Sequence, residues 1–249
     1  MNRITKIEAP QNLTARAYAS IKAYILQENL DEDTRLTEEF LSRQLGISKS
    51  PVREALNSLH TEGLICIESR RGAHLRLFSM REVKDLYDLR EALEVYAVVS
   101  AVLSAQMISE LRQSTERARK HLRSNTKLGH IEEDMKSHAL IAAATGNAEL
   151  CRVLANVESQ LWLCRRKTYD LSSSTLVDAH QAITEALAKG NRRSAQAAMR
   201  DHIIWCGDAL ISFMEQKVPA AVEEGVQGRR SSSSRGRDTR ILDGVGDFA

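Results

Sequence analysis

The chain has 249 residues and a formal net charge of +2, a length that suits two domains and a charge that does not by itself indicate a nucleic-acid binder. No apolar run approaches the roughly 20 residues of a membrane-spanning helix, which excludes a helical membrane protein. Because the four cysteines form no C-x-x-C pair and no signal peptide is recognisable, we expect a cytoplasmic protein with reduced thiols. Few aromatic residues and only three prolines predict a mainly α-helical fold.

The N-terminal part of the chain is predicted to form a DNA-binding motif. Residues 1–13 read as a flexible arm, and Thr14 is predicted to cap a first helix whose apolar residues recur at helical spacing. Residues 36–56 predict two more helices separated by a tight turn at Gly46. This is the layout of a helix-turn-helix, whose second helix enters the major groove of DNA.

A β-hairpin is predicted to follow these helices. Ile65 and Ile67 alternate with polar neighbours, and the same alternation recurs over residues 73–78. The four residues at 69–72, Ser-Arg-Arg-Gly, are predicted to form the hairpin tip. Three helices and a hairpin together make a winged helix-turn-helix domain over residues 14–78.

The second helix of the motif carries the predicted DNA contacts. Its apolar residues fall at i, i+3, i+4 and i+7, which places the cations on the opposite face. The predicted DNA-binding residues on this helix and on the wing are Ser48, Lys49, Ser50, Arg53, Arg70, Arg71 and Gly72. A single arginine of this kind is more often a solvated surface charge, and it is the whole set that favours DNA recognition.

The rest of the chain is predicted to be helical. A capping box at Ser79 to Glu82 predicts a helix start, and Gly146 and Gly190 predict helix ends. About six helices are expected over residues 79–217, forming an all-helical bundle. Residues 218–249 are rich in Arg, Ser and Gly and are predicted to be a disordered tail.

Polar residues interrupt three apolar helix faces in this bundle. Asp134 and His138 lie four residues apart on one predicted face, His180 lies on a second, and His202 lies on a third with Trp205. Each histidine by itself is more often a hydrogen-bonded core residue than a metal ligand. Together, one carboxylate and three imidazoles are a donor set that suits zinc, nickel or another first-row metal, and spacing does not decide between these interpretations.

Both parts of the chain resemble a known family. Residues 48–55 read Ser-Lys-Ser-Pro-Val-Arg-Glu-Ala and are similar to the Ser-Arg-Thr-Pro-Val-Arg-Glu-Ala segment of the GntR superfamily. Lys49 stands where that family has arginine, so the charge is kept while bidentate base recognition is lost. The order Asp134, His138, His180 and His202 resembles the FCD effector domain of the FadR-like branch.

The resemblance implies further expectations for the bundle. In that domain an Asp and three His hold a divalent metal, which helps to bind a small carboxylate effector. Arg90 lies on an apolar helix face and is expected either to grip the effector carboxylate or to pair with Glu94 one turn on.

These observations predict a ligand-responsive transcription regulator that is not an enzyme. We expect a homodimer that binds a palindromic double-stranded DNA operator, acts as a repressor and is released by an organic acid bound beside the metal. Two alternatives stay open on the sequence. One is a metal-dependent hydrolase or oxygenase built on the helical domain. The other is a constitutive architectural DNA-binding protein.

Overall fold

A computed structural model describes residues 12–27, 30, 34–68, 72–124, 126–165 and 174–217. The described residues form nine helices and three short strands. The N-terminal elements are α1 (Leu13–Gln27), β1 (Arg35–Leu36), α2 (Glu38–Leu45), α3 (Lys49–Thr61), β2 (Ile65–Glu68) and β3 (Gly72–Leu75). The strands form an antiparallel sheet in the order β1-β3-β2, and three helices with this hairpin confirm the predicted winged helix-turn-helix. Strand β1 was not predicted.

The first helix begins earlier than predicted. The side chain of Asn12 accepts a hydrogen bond from the backbone N–H of Ala15 at 3.0 Å, so Asn12 caps α1. The prediction that Thr14 is the cap is wrong, because its hydroxyl instead donates to Glu54 Oε2 of α3 at 2.8 Å.

The helix-turn-helix has the local signals that its sequence predicts. Thr37 caps α2 by accepting from the N–H of Phe40, and Gly46 ends that helix with a φ of 66°, a conformation that glycine adopts without steric cost. Pro51 lies in the first turn of α3, where its missing N–H breaks no helical hydrogen bond.

One apolar core holds the N-terminal elements together. Val52, Ala55, Leu56 and Leu59 of α3 are buried as predicted and pack with residues of α1 and of the sheet. Leu163, from a later helix, completes this core.

Six helices follow the hairpin, as predicted. They are α4 (Met80–Ser100), α5 (Ala105–Arg123), α6 (Lys127–Ala143), α7 (Ala148–Arg165), α8 (Ser174–Ala188) and α9 (Arg192–Lys217). The capping box at Ser79 and Glu82 is confirmed at the start of α4, and Gly146 and Gly190 follow α6 and α8 with positive φ. Helix α5 packs on α6 and α8, and α4 packs on α6 and α7. None of the helices in the described part of the chain combines the length and apolar character needed to cross a bilayer.

Helix α7 contacts the N-terminal elements directly. Trp162 Nε1 donates to the backbone carbonyl of Leu26 at 2.6 Å, and Gln160 Nε2 donates to the carbonyl of Glu62 at 2.9 Å. The predicted arm, apart from Asn12 and Leu13, and the predicted tail lie outside the described residues, as do Arg70 and Arg71.

Candidate functional site

The predicted DNA-recognition helix, α3, presents its polar face to solvent. Ser48, Lys49, Ser50 and Arg53 are all exposed at or near the start of α3. Ser48 occupies the N-cap position, yet its side chain makes no capping hydrogen bond. The first-turn N–H groups of a helix carry a partial positive charge, so this end of α3 suits a phosphate oxygen.

Acidic side chains of α2 engage the cations of α3. Arg53 donates from Nε and Nη2 to the two carboxylate oxygens of Glu38, each at 2.7 Å. Lys49 Nζ lies 3.8 Å from Glu39 Oε2. The hydrogen bonds from Arg53 lower the pKa of Glu38, so the pair stays ionised. Sequence reasoning missed this pairing, because it joins residues from two helices.

Of the predicted wing residues, only Gly72 is described. It begins β3 with a φ of 79° and pairs across the hairpin with Glu68. A residue with a side chain is strained in this conformation, which explains glycine at this position.

The helical bundle brings the four predicted metal-binding residues together. Asp134 and His138 come from α6, His180 from α8 and His202 from α9, and all four are buried. One ligand atom from each lies within 4.8 Å of the others. We call these four residues the Asp-His cluster.

The Asp-His cluster is centred on one carboxylate oxygen. The Nε2 atoms of His180, His138 and His202 lie 2.8, 3.7 and 3.7 Å from Asp134 Oδ1. His138 Nε2 and His202 Nε2 are 3.2 Å apart. Metal–ligand bonds of about 2.0–2.1 Å place neighbouring ligand atoms about 3.0–3.4 Å apart, so this donor set fits a first-row metal.

A second layer of polar groups orients His138. Its Nδ1 contacts Glu94 Oε2, which leaves Nε2 facing the Asp-His cluster. Arg90 in turn donates from Nε to Glu94 Oε1 at 2.6 Å. Carboxylate partners of this kind fix the orientation and tautomer of metal-binding histidines. The predicted Arg90–Glu94 pair is therefore present, with Arg90 fully buried.

Helix α7 adds two charged residues that sequence reasoning missed. Glu158 Oε1 lies 2.6 Å from Arg90 Nε, and Arg165 Nη1 donates to Asp134 Oδ2 at 3.2 Å. Both lie at helical spacing from Leu154, which is buried on the same helix. In the sequence, these two charged residues interrupt an apolar helix face, and that pattern could have indicated that they are buried.

The pKa shifts within the Asp-His cluster follow from burial and from neighbouring charges. Burial lowers the pKa of His180 and lowers that of His202 further, which keeps both rings neutral and able to bind a metal. Burial opposes protonation of His138 too, but the Glu94 carboxylate outweighs it and the pKa of His138 rises to about 9. Asp134 is buried as well, yet Arg165 and the histidines hold its pKa well below the usual range.

The face of α9 that carries His202 differs from the predicted face. Trp205 was predicted to lie beside His202 in the core, but it is 38 % exposed. The buried residues that flank His202 on α9 are Ala195, Met199, Ile203, Cys206 and Leu210. Burial raises the pKa of the Cys206 thiol to about 12, so it remains protonated and is a poor metal ligand.

Comparisons with known proteins agree with both parts of this architecture. Residues 13–75 match the family described as "Bacterial regulatory proteins, gntR family", and residues 85–204 match the FCD domain. The uncharacterized HTH-type transcriptional regulator YdhC of Bacillus subtilis is 26 % identical over 202 residues, covering 79 % of this chain and 90 % of that protein. The HTH-type transcriptional repressor RspR of Escherichia coli is 24 % identical over 203 residues, covering 80 % and 89 %.

A solved structure has the same fold. The E. coli protein McbR/YncC superposes with a TM-score of 0.73 at 19 % identity, covering 81 % of this chain and 98 % of that one. The matched families and relatives are transcription regulators rather than enzymes, and none of these comparisons supports the hydrolase or oxygenase alternative. The chain therefore belongs to the GntR family of bacterial transcription regulators and carries an FCD domain.

Proposed function

We propose that the protein is a dimeric repressor that binds a palindromic operator in the cytoplasm and releases it when a small organic acid binds beside a metal in the helical domain. Residues 14–78 are the proposed DNA-binding domain and residues 79–217 the proposed effector domain. Repression is the direction that we assign, because the relative RspR is named a repressor.

The single observation that carries this proposal is the convergence of Asp134, His138, His180 and His202. A bundle that served only as a scaffold would fill these four buried positions with apolar side chains, because unpaired buried polar groups are costly. We assign zinc or nickel to the Asp-His cluster, since both ions accept imidazole and carboxylate donors. When bound, the metal would supply positive charge for a carboxylate.

The charges around the Asp-His cluster favour an anionic effector once the metal is present. The guanidinium groups of Arg90 and Arg165 meet the carboxylates of Glu94, Asp134 and Glu158, and these five ionised groups sum to one net negative charge. A divalent ion changes this sum to one net positive charge. We propose that Arg90, already buried beside the cluster, holds the carboxylate of the effector.

Helix α7 connects the proposed effector site to the DNA-binding domain. Glu158 and Arg165 contact the buried polar groups, while Gln160 and Trp162 of the same helix donate to backbone carbonyls of the N-terminal elements. A ligand that displaces α7 therefore changes how the winged helix is held. This shared helix is the physical route that we propose for the switch.

A palindromic operator needs two copies of the chain, since each half-site takes one reading helix. Helix α4 presents an exposed apolar row of Leu89, Tyr96 and Val99, which fall on one face of the helix. Exposed apolar rows of this kind mark protein contacts. We assign this row to a second copy of the chain.

The metal and effector assignments are tested with the purified full-length protein. Elemental analysis is expected to find one equivalent of zinc or nickel per chain, and His180→Ala is expected to lose it. His130→Ala is the matched control, because His130 is a buried histidine one helical turn from Asp134 that does not belong to the Asp-His cluster. Acetate and propionate are expected to raise the melting temperature of the metal-loaded protein, because a ligand that binds the folded state stabilises it. The increase is expected to disappear after a chelator has removed the metal.

Two results would contradict the proposal. Metal-free protein, or equal metal loss in His130→Ala and His180→Ala, would remove the assignment of these four ligands. Operator binding that never responds to carboxylates in the metal-loaded protein would favour the alternative of a constitutive DNA-binding protein.

A further inference from the structure

Beside the Asp-His cluster, three buried side chains of α4 and α7 have polar atoms without hydrogen bonds among the described residues. They are the hydroxyl of Tyr87, both Nη atoms of Arg90 and the Oε2 atom of Glu158. All three residues are at least 95 % buried, so bulk water does not satisfy them. Native structures pair nearly all such groups, and an unpaired set at a proposed ligand site indicates the partners that a ligand brings.

The unpaired atoms are of two opposite kinds. Arg90 offers the N–H groups of its two Nη atoms as donors, and Glu158 offers Oε2 as an acceptor. The other oxygen of Glu158, Oε1, lies 2.6 Å from Arg90 Nε, so the two side chains are already in contact. A plain carboxylate would satisfy only the donors of Arg90. It would also place another negative charge beside Glu158, so a ligand with a donor of its own fits better.

Glu158 differs from the other carboxylates around the cluster because only one of its two oxygens, Oε1, has a charged partner, which is Arg90. Glu94 is occupied by Arg90 through Oε1 and by His138 through Oε2. Asp134 is occupied by His180 through Oδ1 and by Arg165 through Oδ2. Among the described acidic residues of this site, Glu158 is therefore the acceptor that remains for a ligand.

We propose that Glu158 determines effector specificity, and that the effector is a small carboxylate with a hydroxyl or ammonium group on the carbon next to the carboxylate. Arg90 binds the carboxylate, and Glu158 accepts a hydrogen bond from the neighbouring donor. Because the two side chains touch, with Glu158 Oε1 2.6 Å from Arg90 Nε, a ligand that reaches both of them carries its donor and its carboxylate close together. This inference rests on the effector site of the proposed function and adds the chemistry that the site selects.

The test uses three ligands that share one carbon skeleton and differ only in the donor: propionate, lactate and alanine. Each is titrated calorimetrically into zinc-loaded full-length protein. Lactate or alanine is expected to bind about ten- to 150-fold more tightly than propionate, the factor of a hydrogen bond to a charged group. The comparison of lactate with alanine identifies the donor as hydroxyl or ammonium.

Two substitutions test the role of Glu158. Glu158→Leu is expected to abolish the preference over propionate, and Glu158→Gln keeps the side-chain size in case the first variant does not fold. The neutral amide of Glu158→Gln is expected to reduce the preference at least threefold, because its hydrogen bond is no longer charge-assisted. Glu133→Gln is the matched control, since Glu133 is a buried glutamate of α6 paired with Ser114 and Arg117.

The outcomes separate this inference from the proposed function. If propionate binds the parent as tightly as lactate and alanine do, the protein does not recognise the hydroxyl or ammonium group and this inference is wrong. The carboxylate effector of the proposed function is not affected by that result. If the preference survives in both Glu158 variants, Glu158 is not the acceptor. If zinc-loaded protein binds none of the three ligands, the carboxylate effector of the proposed function fails as well.

Discussion

Arg53 provides the sharpest test of the DNA-reading assignment, because the structure shows what restrains it. Its side chain is 63 % exposed on α3, and its guanidinium is held by both oxygens of Glu38 on α2. Binding to DNA takes this guanidinium from a carboxylate to a base edge or a phosphate. Arg53→Ala removes the contact to DNA, and Glu38→Gln releases the arginine from its partner.

The two substitutions are expected to act in opposite directions. Loss of one arginine contact costs about 1–3 kcal/mol, so Arg53→Ala is expected to weaken operator binding roughly five- to 150-fold. An exposed ion pair is worth about 0.2–1 kcal/mol, so Glu38→Gln is expected to tighten binding by at most about fivefold. In the Arg53→Ala background the same change at Glu38 is expected to have little effect, since the pair is already absent.

The assay is a fluorescence-anisotropy titration against an operator selected from random duplexes with the parent protein. Titrations at several salt concentrations separate a phosphate contact from a base contact. Loss of a phosphate contact lowers the slope of log affinity against log salt by about 0.9. Arg152→Ala is the control, because Arg152 is an exposed, ion-paired arginine of α7 outside the DNA-binding domain.

Two results would refute this reasoning. If Arg53→Ala binds the selected operator as tightly as Arg152→Ala does, Arg53 of α3 does not contact the operator. If Glu38→Gln weakens binding as strongly as Arg53→Ala, Glu38 orients Arg53 for DNA rather than competing with it.

Two further predictions concern assembly and pH. Tyr96→Arg places a charge in the exposed apolar row of α4 and is expected to give a monomer in sedimentation equilibrium, whereas an unchanged dimer would exclude this row as the interface. Glu133 is buried, but its bonds to Arg117, Ser114 and Lys136 outweigh burial and lower its pKa from 4.5 to about 2. Because the folded state binds the proton less readily, this contribution to stability is present above about pH 4.5 and is lost as the pH falls towards 2. Between these pH values, the free energy of unfolding of the parent, measured with urea, is expected to fall by up to about 1.4 kcal/mol per pH unit more than that of Glu133→Gln. If the free energies of unfolding of the two proteins fall in parallel with pH, the assignment is wrong.

Local sequence signals determined most of the elements of this protein. The helical spacing of Val52, Ala55 and Leu59 shows which face of α3 is buried, because side chains three and four residues apart share a face. The capping box at Ser79 and the glycine after α6 mark helix ends through contacts within a few residues. Asp134 and His138 were assigned to one face by the same short-range rule.

Contacts between helices were decided only by the tertiary structure. The side chains of His180 on α8 and His202 on α9 reach Asp134 on α6 through the packing of the bundle, and periodicity does not give the rotation of one helix against another. The same limit explains the misplaced face of α9, where Trp205 is exposed. Glu158 beside Arg90, and Glu38 beside Arg53, are likewise pairs whose partners come from different helices. A residue's own helix determines the direction of its side chain, but the packing of the bundle determines which side chain it meets.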